Sequence, residues 1–464
     1  MCVASGASKF PSQSEEKERQ EQNMTFKAAI LALALCVASG ARVEHQRPDH
    51  AMTFDEFLAK YAKSYTPAEY KARRAIFHRS LEAIHQHNDD AGKSFHLGIN
   101  KFADLTEAEV AAFRGFHSPA WRSMAEGKER ATLPASGDSL PESWDWRDYD
   151  KVSPVKNQGS CGSCWAFSGV GALESALLMG NQTATSLSEQ QFVDCVPNPS
   201  ECGGAGGCEG ATQPLLFDYA ATHGAKLEAD YTYTAKTGTT CEEDEYPTVA
   251  TIQGYGILPE NCDVAMLQAF MLEFGPIAVS VDASAWSHYS GGVLDFESCG
   301  SDIDHAVLLV GYGTDSELGA DYWTIKNSWG SDWGEQGFIR LSRADGTKVD
   351  ATPGDGAGCD GGPASVNVRG TCGVLYANSY AFGAQLVPLN SSQTTPNSKS
   401  LAGSDPNTWA PKAKPPTAST TRTATANAST GTGADEVAEV NKAALFKAAK
   451  APRGINGAGL RGIN

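Results

Sequence analysis

Ten of the chain's twelve cysteines lie between Cys161 and Cys372. Thiols this dense do not suit a reducing cytosol, so the stretch is expected to be a folded domain cross-linked in an oxidising compartment. The N-terminal region agrees with export. Residues Ala28 to Val37 form a short apolar run after Lys27, followed by small residues through Ala41. This is the layout of a signal peptide at 24–41, too short for a bilayer span. Residues 1–23 are charged and hydrophilic, and their CVASGA at Cys2 to Ala7 recurs at Cys36 to Ala41, so Met24 is the expected start of translation. No other stretch is long enough to cross a membrane.

Charge narrows the choice of partner. The whole chain carries a formal net charge of −18, and residues 140–390 hold 10 Lys and Arg against 33 Asp and Glu. So acidic a domain repels polyanions, which argues against nucleic acid. Three textures follow the signal. Over about 50–115, Phe54, Phe57, Leu58 and Tyr61, then Ala75, Phe77, Leu81 and Ile84, recur at helical steps and predict an amphipathic helical unit. Residues 140–390 mix helical patterns with β-like runs such as Ile277 to Val281 and Ala306 to Val310, the mark of an α+β domain. Residues 391–464 are Ser, Thr, Ala, Pro and Lys with hardly an aromatic, and cannot bury enough apolar surface to offset ordering.

Chemistry concentrates at Gln158-Gly-Ser-Cys161-Gly-Ser-Cys164-Trp165-Ala-Phe167-Ser. The apolar steps Trp165, Val170, Leu173, Leu177 and Leu178 predict a helix with Cys164 in its first turn. A thiol at a helix N-terminus is favoured as thiolate, the nucleophilic form. It also needs a base oriented by a third group. From Leu140 onward the histidines are His223, His288 and His305. His223 and His288 sit in loops that read as solvated surface. His305 opens a strand-like run from which an imidazole can be aimed. Asn327, in Tyr322-Trp323-Thr-Ile-Lys-Asn327-Ser328-Trp329-Gly330, could accept the imidazole N–H, with Trp329 shielding the pair. Alone, an Asn before Ser would read as a turn residue.

With these motifs together, residues 140–390 resemble a papain-family cysteine protease, whose signature C-G-[SA]-C-[WY] stands at Cys161 to Trp165. The resemblance implies a two-domain α+β fold, a helical domain and a β-barrel-like domain with the active site in the cleft between them. It makes Cys164 the nucleophile, His305 the base and later acid, Asn327 the orienter, and Gln158 an oxyanion donor beside the Cys164 N–H. The reaction is peptide hydrolysis through a thioester, with no metal or other cofactor, by a monomer acting on proteins and peptides. The lysosome, the vacuole or the extracellular space is the implied destination.

The helical unit resembles the family's inhibitory propeptide. Glu69, Arg73, Phe77, Ile84 and Asn88 fall at its spaced helical positions along one face, with Ser80 where Asn is usual, and Gly98-Ile-Asn100-Lys-Phe102-Ala-Asp104 supplies a second motif. An i,i+4 surface pair of Glu69 and Arg73 would explain the spacing but not both motifs. Residues 42–139 are therefore expected to be a propeptide that runs backwards through the cleft and inhibits in cis until cut near Leu140. Seven of the ten histidines (His45, His50, His78, His85, His87, His96 and His117) lie in it, suggesting release by acid.

The resemblance also implies the bridges Cys161–Cys208, Cys195–Cys241 and Cys299–Cys372, leaving Cys202, Cys262 and Cys359 besides the nucleophile. Cys359 lies in a glycine-rich insertion, Asp345 to Gly370. Gly210 and Ala211 stand where the family presents backbone to substrate through Gly-Gly. Thr212, Gln213, Ser280, Ile303, Ala306 and Ala377 would line the pocket for the second residue before the cut, and Asp304 and Trp329, beside the base, are implied to bind substrate as well. Ala377 brings no acid to the pocket floor, so a cathepsin L-like preference for an apolar side chain is implied. Two alternatives exist on this scaffold, a catalytically silent binding protein and a peptide ligase. Asn181, Asn390 and Asn427 begin glycosylation sequons.

Overall fold

The computed structural model describes residues 52–115, 140–351 and 363–388. The chain divides into Met1–Lys412 and Ala413–Asn464, and every described residue belongs to the first unit. The extension and signal at 1–41, the tail at 391–464, Cys359, His45, His50, His117, Asn390 and Asn427 lie outside the described residues.

The N-terminal unit starts with α1 (Phe54–Lys60) and α2 (Pro67–Asn88). Each opens on a reciprocal capping box, Thr53 with Glu56 and Thr66 with Glu69, and Pro67 begins α2, where a missing N–H costs nothing. The apolar positions of the two helices meet: Phe54, Phe57, Phe77 and Ile84 pack with Ile99 and Ala103. The unit is not helical throughout. Phe95–Leu97 forms a strand, β1, and α3 (Glu107–Ala111) follows. Nor does Arg73 pair with Glu69. Glu69 caps its own helix, and the Arg73 fork reaches Glu109 of α3 at 2.6 and 2.5 Å. A two-pronged guanidinium–carboxylate contact is stronger than a single bond along a helix.

Residues 140–388 supply a helical lobe and a sheet lobe. Cys164–Met179 forms α4, buried along nearly its whole length because it carries Ala, Gly and Leu on every face. Trp165, Leu173 and Leu177 of α4 share a core with Phe192 of α5 (Glu189–Cys195) and with Leu216 and Phe217 of α6 (Gln213–His223). The second lobe is built on β2 (Trp144–Asp145), β3 (Ala250–Thr251), β4 (Gly254–Ile257), β5 (Ile277–Val281), β6 (Tyr289–Leu294), β7 (His305–Thr314), β8 (Asp321–Lys326), β9 (Phe338–Ser342), β10 (Thr347–Asp350), β11 (Val366–Arg369), β12 (Asn378–Phe382) and β13 (Gln385–Leu386). Its main sheet runs β1-β6-β9-β8-β7-β5-β12-β4, with β2 on β7. Helix α7 (Val264–Phe274) packs on it. β5 and the first nine residues of β7 are buried throughout, which explains why they read as continuous apolar runs. β10 and β11 pair with each other, so the Asp345–Gly370 segment holds an antiparallel ladder of its own.

Two features join these parts. The N-terminal unit lends β1 to the main sheet, where it pairs antiparallel with β6. Between the lobes, Lys326 Nζ of β8 donates to Ser153 Oγ at 3.0 Å, which in turn bonds Glu174 of α4; half-buried Lys156 bonds the same Glu174 at 2.9 Å and Glu189 of α5 at 2.8 Å. Removing one partner of such a cluster would strand a buried charge, at about 3–5 kcal/mol.

Candidate active site

Cys164 is the first residue of α4 and fully buried. Its thiol takes hydrogen bonds from the backbone N–H groups of Trp165 and Ala306, so the tip of α4 meets the start of β7. His305 begins β7 and is clamped to β5 opposite Val281. Its Nε2 lies 2.8 Å from Asn327 Oδ1, just beyond the end of β8. That oxygen also accepts the Ser328 amide at 2.8 Å, which fixes the amide orientation and makes Nε2 the protonated nitrogen. His305 Nδ1 is buried, makes no hydrogen bond and keeps its lone pair. Trp329 stacks on the imidazole at 4.9 Å and 28°, and Trp286 meets it edge-on at 6.0 Å. Gln158 is equally buried: its Oε1 accepts from Ser328 Oγ at 2.5 Å, and its Nε2 donates to Cys161 O at 2.9 Å.

Main chain from the N-terminal unit fills this site. Phe113 O accepts from Gln158 Nε2 at 2.9 Å and from Trp329 Nε1 at 3.4 Å, and the Gly115 N–H bonds the Cys164 thiol. Gly115 lies so close to Gly162 and Gly210 that a β-carbon on it would meet Gly162 O at 2.0 Å, and one on Gly210 would meet Gly115 O at 1.9 Å. Only glycines permit that approach. Phe102 packs edge-on against Trp329 at 5.2 Å, and Lys101 Nζ donates to Trp329 O at 2.7 Å and Asn157 Oδ1 at 3.1 Å. Burial holds the Lys101 ammonium down at about 8.

The cover reverses the expected electrostatics. Burial pushes the Cys164 thiol up to about 11, although three N–H groups pull the other way, and burial pushes His305 down to about 3. Burial thus opposes ionisation of both groups, where the helix N-terminus alone favours a thiolate.

The remaining site residues fall into place around this centre. Thr212, Gln213, Ser280, Ile303, Ala306 and Ala377 are all buried. Ser280 faces Ala306 across β5 and β7 and donates its N–H to Ala377 O at 3.1 Å, and Gln213 Nε2 lies 3.4 Å from Ser280 Oγ. Ala211 is buried beside Gly210. Disulfides join Cys161 to Cys208, Cys195 to Cys241 and Cys299 to Cys372; Cys202 is also disulfide-bonded, and Cys262 is a buried free thiol. His223 is exposed as expected, but as the last residue of α6 and not in a loop. His288 is not: it is half-buried with Nδ1 unbonded, because Gly98 N docks on its carbonyl at 2.7 Å and Asn100 Nδ2 on that of Ser287. Sequence reading also missed Phe113, Arg114 and Gly115, since a short stretch after a one-turn helix has no periodicity to mark it.

Residues 140–353 match the papain family cysteine protease model, and residues 54–110 match the cathepsin propeptide inhibitor domain. A cysteine proteinase of Zea mays is 38% identical over 62% of this chain and 81% of its own length, and fruit bromelain of Ananas comosus is 35% identical over 68% and 88%. The digestive procathepsin L 3 of Tenebrio molitor superposes with a TM-score of 0.57 at 34% identity, covering 71% of this chain and 97% of its own. The chain belongs to the papain family of cysteine proteases and is made as a precursor that bears its inhibitory propeptide. Among the described residues no helix is long and apolar enough to cross a membrane.

Two histidines at the seam between propeptide and enzyme give release a sign with pH. Burial lowers His87, whose Nε2 lies 3.1 Å from Phe95 O and which faces Lys93, His96 and Asp295, and burial lowers His288 to about 4, with no charged group set against it. Once separated, both return towards the ordinary value of about 6.5. The docked form is therefore favoured above about pH 6.5 and loses that advantage as pH falls towards 4. The Arg73–Glu109 pair does not share this window, since Arg73 holds Glu109 at about 2. His78 and His96 are exposed. The double variant His87→Gln with His288→Gln should release its propeptide at a distinctly lower pH than wild type in a gel-based titration; an unchanged midpoint would remove both residues from the switch.

Proposed function

We propose that the mature chain, about residues 140–390, is an endopeptidase that cuts peptide bonds by a Cys-His-Asn thiolate mechanism. Peptide main chain lodged between Gln158 and Cys164 carries the reading: Phe113 O sits on an oxyanion donor while the Gly115 N–H meets the nucleophile. With the propeptide gone, water returns to the cleft and the thiol–imidazole pair can ionise. The Cys164 thiolate attacks the scissile carbonyl, and the oxyanion is met by Gln158 Nε2 and the Cys164 N–H. His305 protonates the leaving amine through Nδ1, while Asn327 holds Nε2 in the productive tautomer. Water, deprotonated by the same imidazole, then opens the thioester.

Gly210 and Ala211 offer main chain to the substrate, Trp329 shields the imidazole, and the pocket of Thr212, Gln213, Ser280, Ile303, Ala306 and Ala377 takes an apolar side chain two residues before the cut. The precursor follows the secretory pathway behind a signal at 24–41, towards a lysosome, a vacuole or the outside of the cell, and loses residues 42–139 by acid processing near Leu140. The enzyme acts as a monomer.

Purified full-length precursor incubated at pH 4.5 should trim to a fragment starting near Leu140. The product should then cleave quenched peptides with Phe or Leu two residues before the cut roughly tenfold faster than those with Arg or Glu there. Cleavage with no preference at that position would remove the cathepsin L-like assignment. Failure to cleave any peptide after the propeptide has gone would remove the enzyme.

A further inference from the structure

Arg114 stands between the two propeptide residues that touch the catalytic centre, and its side chain is only 7% exposed. Its Nε lies 3.2 Å from Asp304 Oδ2, and its Nη2 pairs with Glu107. Asp304 is buried, and its Oδ1 accepts the Ala283 N–H at 2.9 Å. Asp282 is buried behind it, taking the Ser284 N–H at 2.8 Å on Oδ1 and the Asp302 N–H at 3.0 Å on Oδ2. The guanidinium thus fills a recess floored by acid. Maturation at Leu140 removes Arg114 and Glu107 together and leaves Asp304 and Asp282 without the cation the precursor sets against them.

The position of the recess gives it a use. Asp304 immediately precedes His305, whose Nδ1 delivers a proton to the leaving amine in the mechanism proposed above. The residue that supplies this amine is the first after the cut, and Asp304 is the acid next in the chain to the base that serves it. We propose that this recess is a specificity pocket of the mature enzyme, selecting Arg or Lys at the first position after the cut. Arg114 is its built-in occupant in the precursor. A buried carboxylate that has lost its partner gains more from a new cation than a solvated one does, so a basic side chain binds here at an advantage and an acidic one is repelled.

The inference rests on the peptidase reading, and the experiment separates the two. Acid-activated full-length protein is given peptides that differ only at the first position after the cut (Arg, Lys, Leu or Glu), beside a substrate whose leaving group is an aminocoumarin and carries no residue there. The expected kcat/KM ratio is roughly tenfold or more for Arg and Lys over Leu, with Glu slower still. Raising the salt should compress that ratio. In Asp282→Asn the Arg-to-Leu ratio, taken within one preparation and so independent of how much of it folds, should fall towards one. Equal rates for Arg, Leu and Glu with the coumarin substrate cleaved would overturn the pocket and leave the peptidase standing; no cleavage of any substrate would overturn both.

Discussion

Cys164→Ala is expected to lower peptide turnover on the order of 10⁶-fold, the loss seen when the nucleophile of a coupled catalytic set is removed. No other described residue combines a nucleophilic atom with a base at that point: the other free thiol, Cys262, is buried in the sheet lobe beside Asn378. The substitution removes one buried sulfur at the tip of α4, so the fold should survive. Purified Cys164→Ala precursor should stay full-length at pH 4.5 while wild type trims itself, and should be trimmed when a little active enzyme is added. Self-trimming at the wild-type rate would show that another group performs the cleavage.

Gln158→Ala should cost about 10² to 10³ in kcat, with KM changed much less, because an oxyanion donor acts mainly in the transition state. The same side chain also holds Phe113 O and Ser328 Oγ, so the precursor should release its propeptide more readily even as the mature enzyme slows. Opposite effects on activation and turnover distinguish this role from simple loss of folding, which would depress both. Turnover within threefold of wild type would exclude Gln158 as the donor.

What could be read from sequence was whatever is encoded locally. The helix from Cys164, the buried β5 and β7 and the apolar face of α2 all announce themselves by period and residue type. His305 and Asn327 were legible because few histidines compete and because each borders a strand-like run. Contacts that depend on two distant segments meeting were not legible. Arg73 choosing Glu109 over Glu69 follows from α3 folding back on α2 within the propeptide, whereas the burial of His288 beneath Gly98 and the Gly115 main chain at the tip of α4 follow from docking of the propeptide on the enzyme; no local pattern encodes either event. Arg114 is the clearest case, since beside its local partner Glu107 it meets Asp304, nearly two hundred residues away.

The strand that the propeptide lends to the sheet has a consequence for the enzyme left behind. When β1 departs, the backbone groups of β6 that it had paired become an open rim, and open rims recruit strands from other molecules into aggregates. Here the rim reads Ser290-Gly291-Gly292-Val293, and Gly292 holds a φ of +89°. A left-handed kink beside a second glycine is a poor template for an incoming strand. The glycines that let the propeptide dock closely thus also limit self-association once it has been shed.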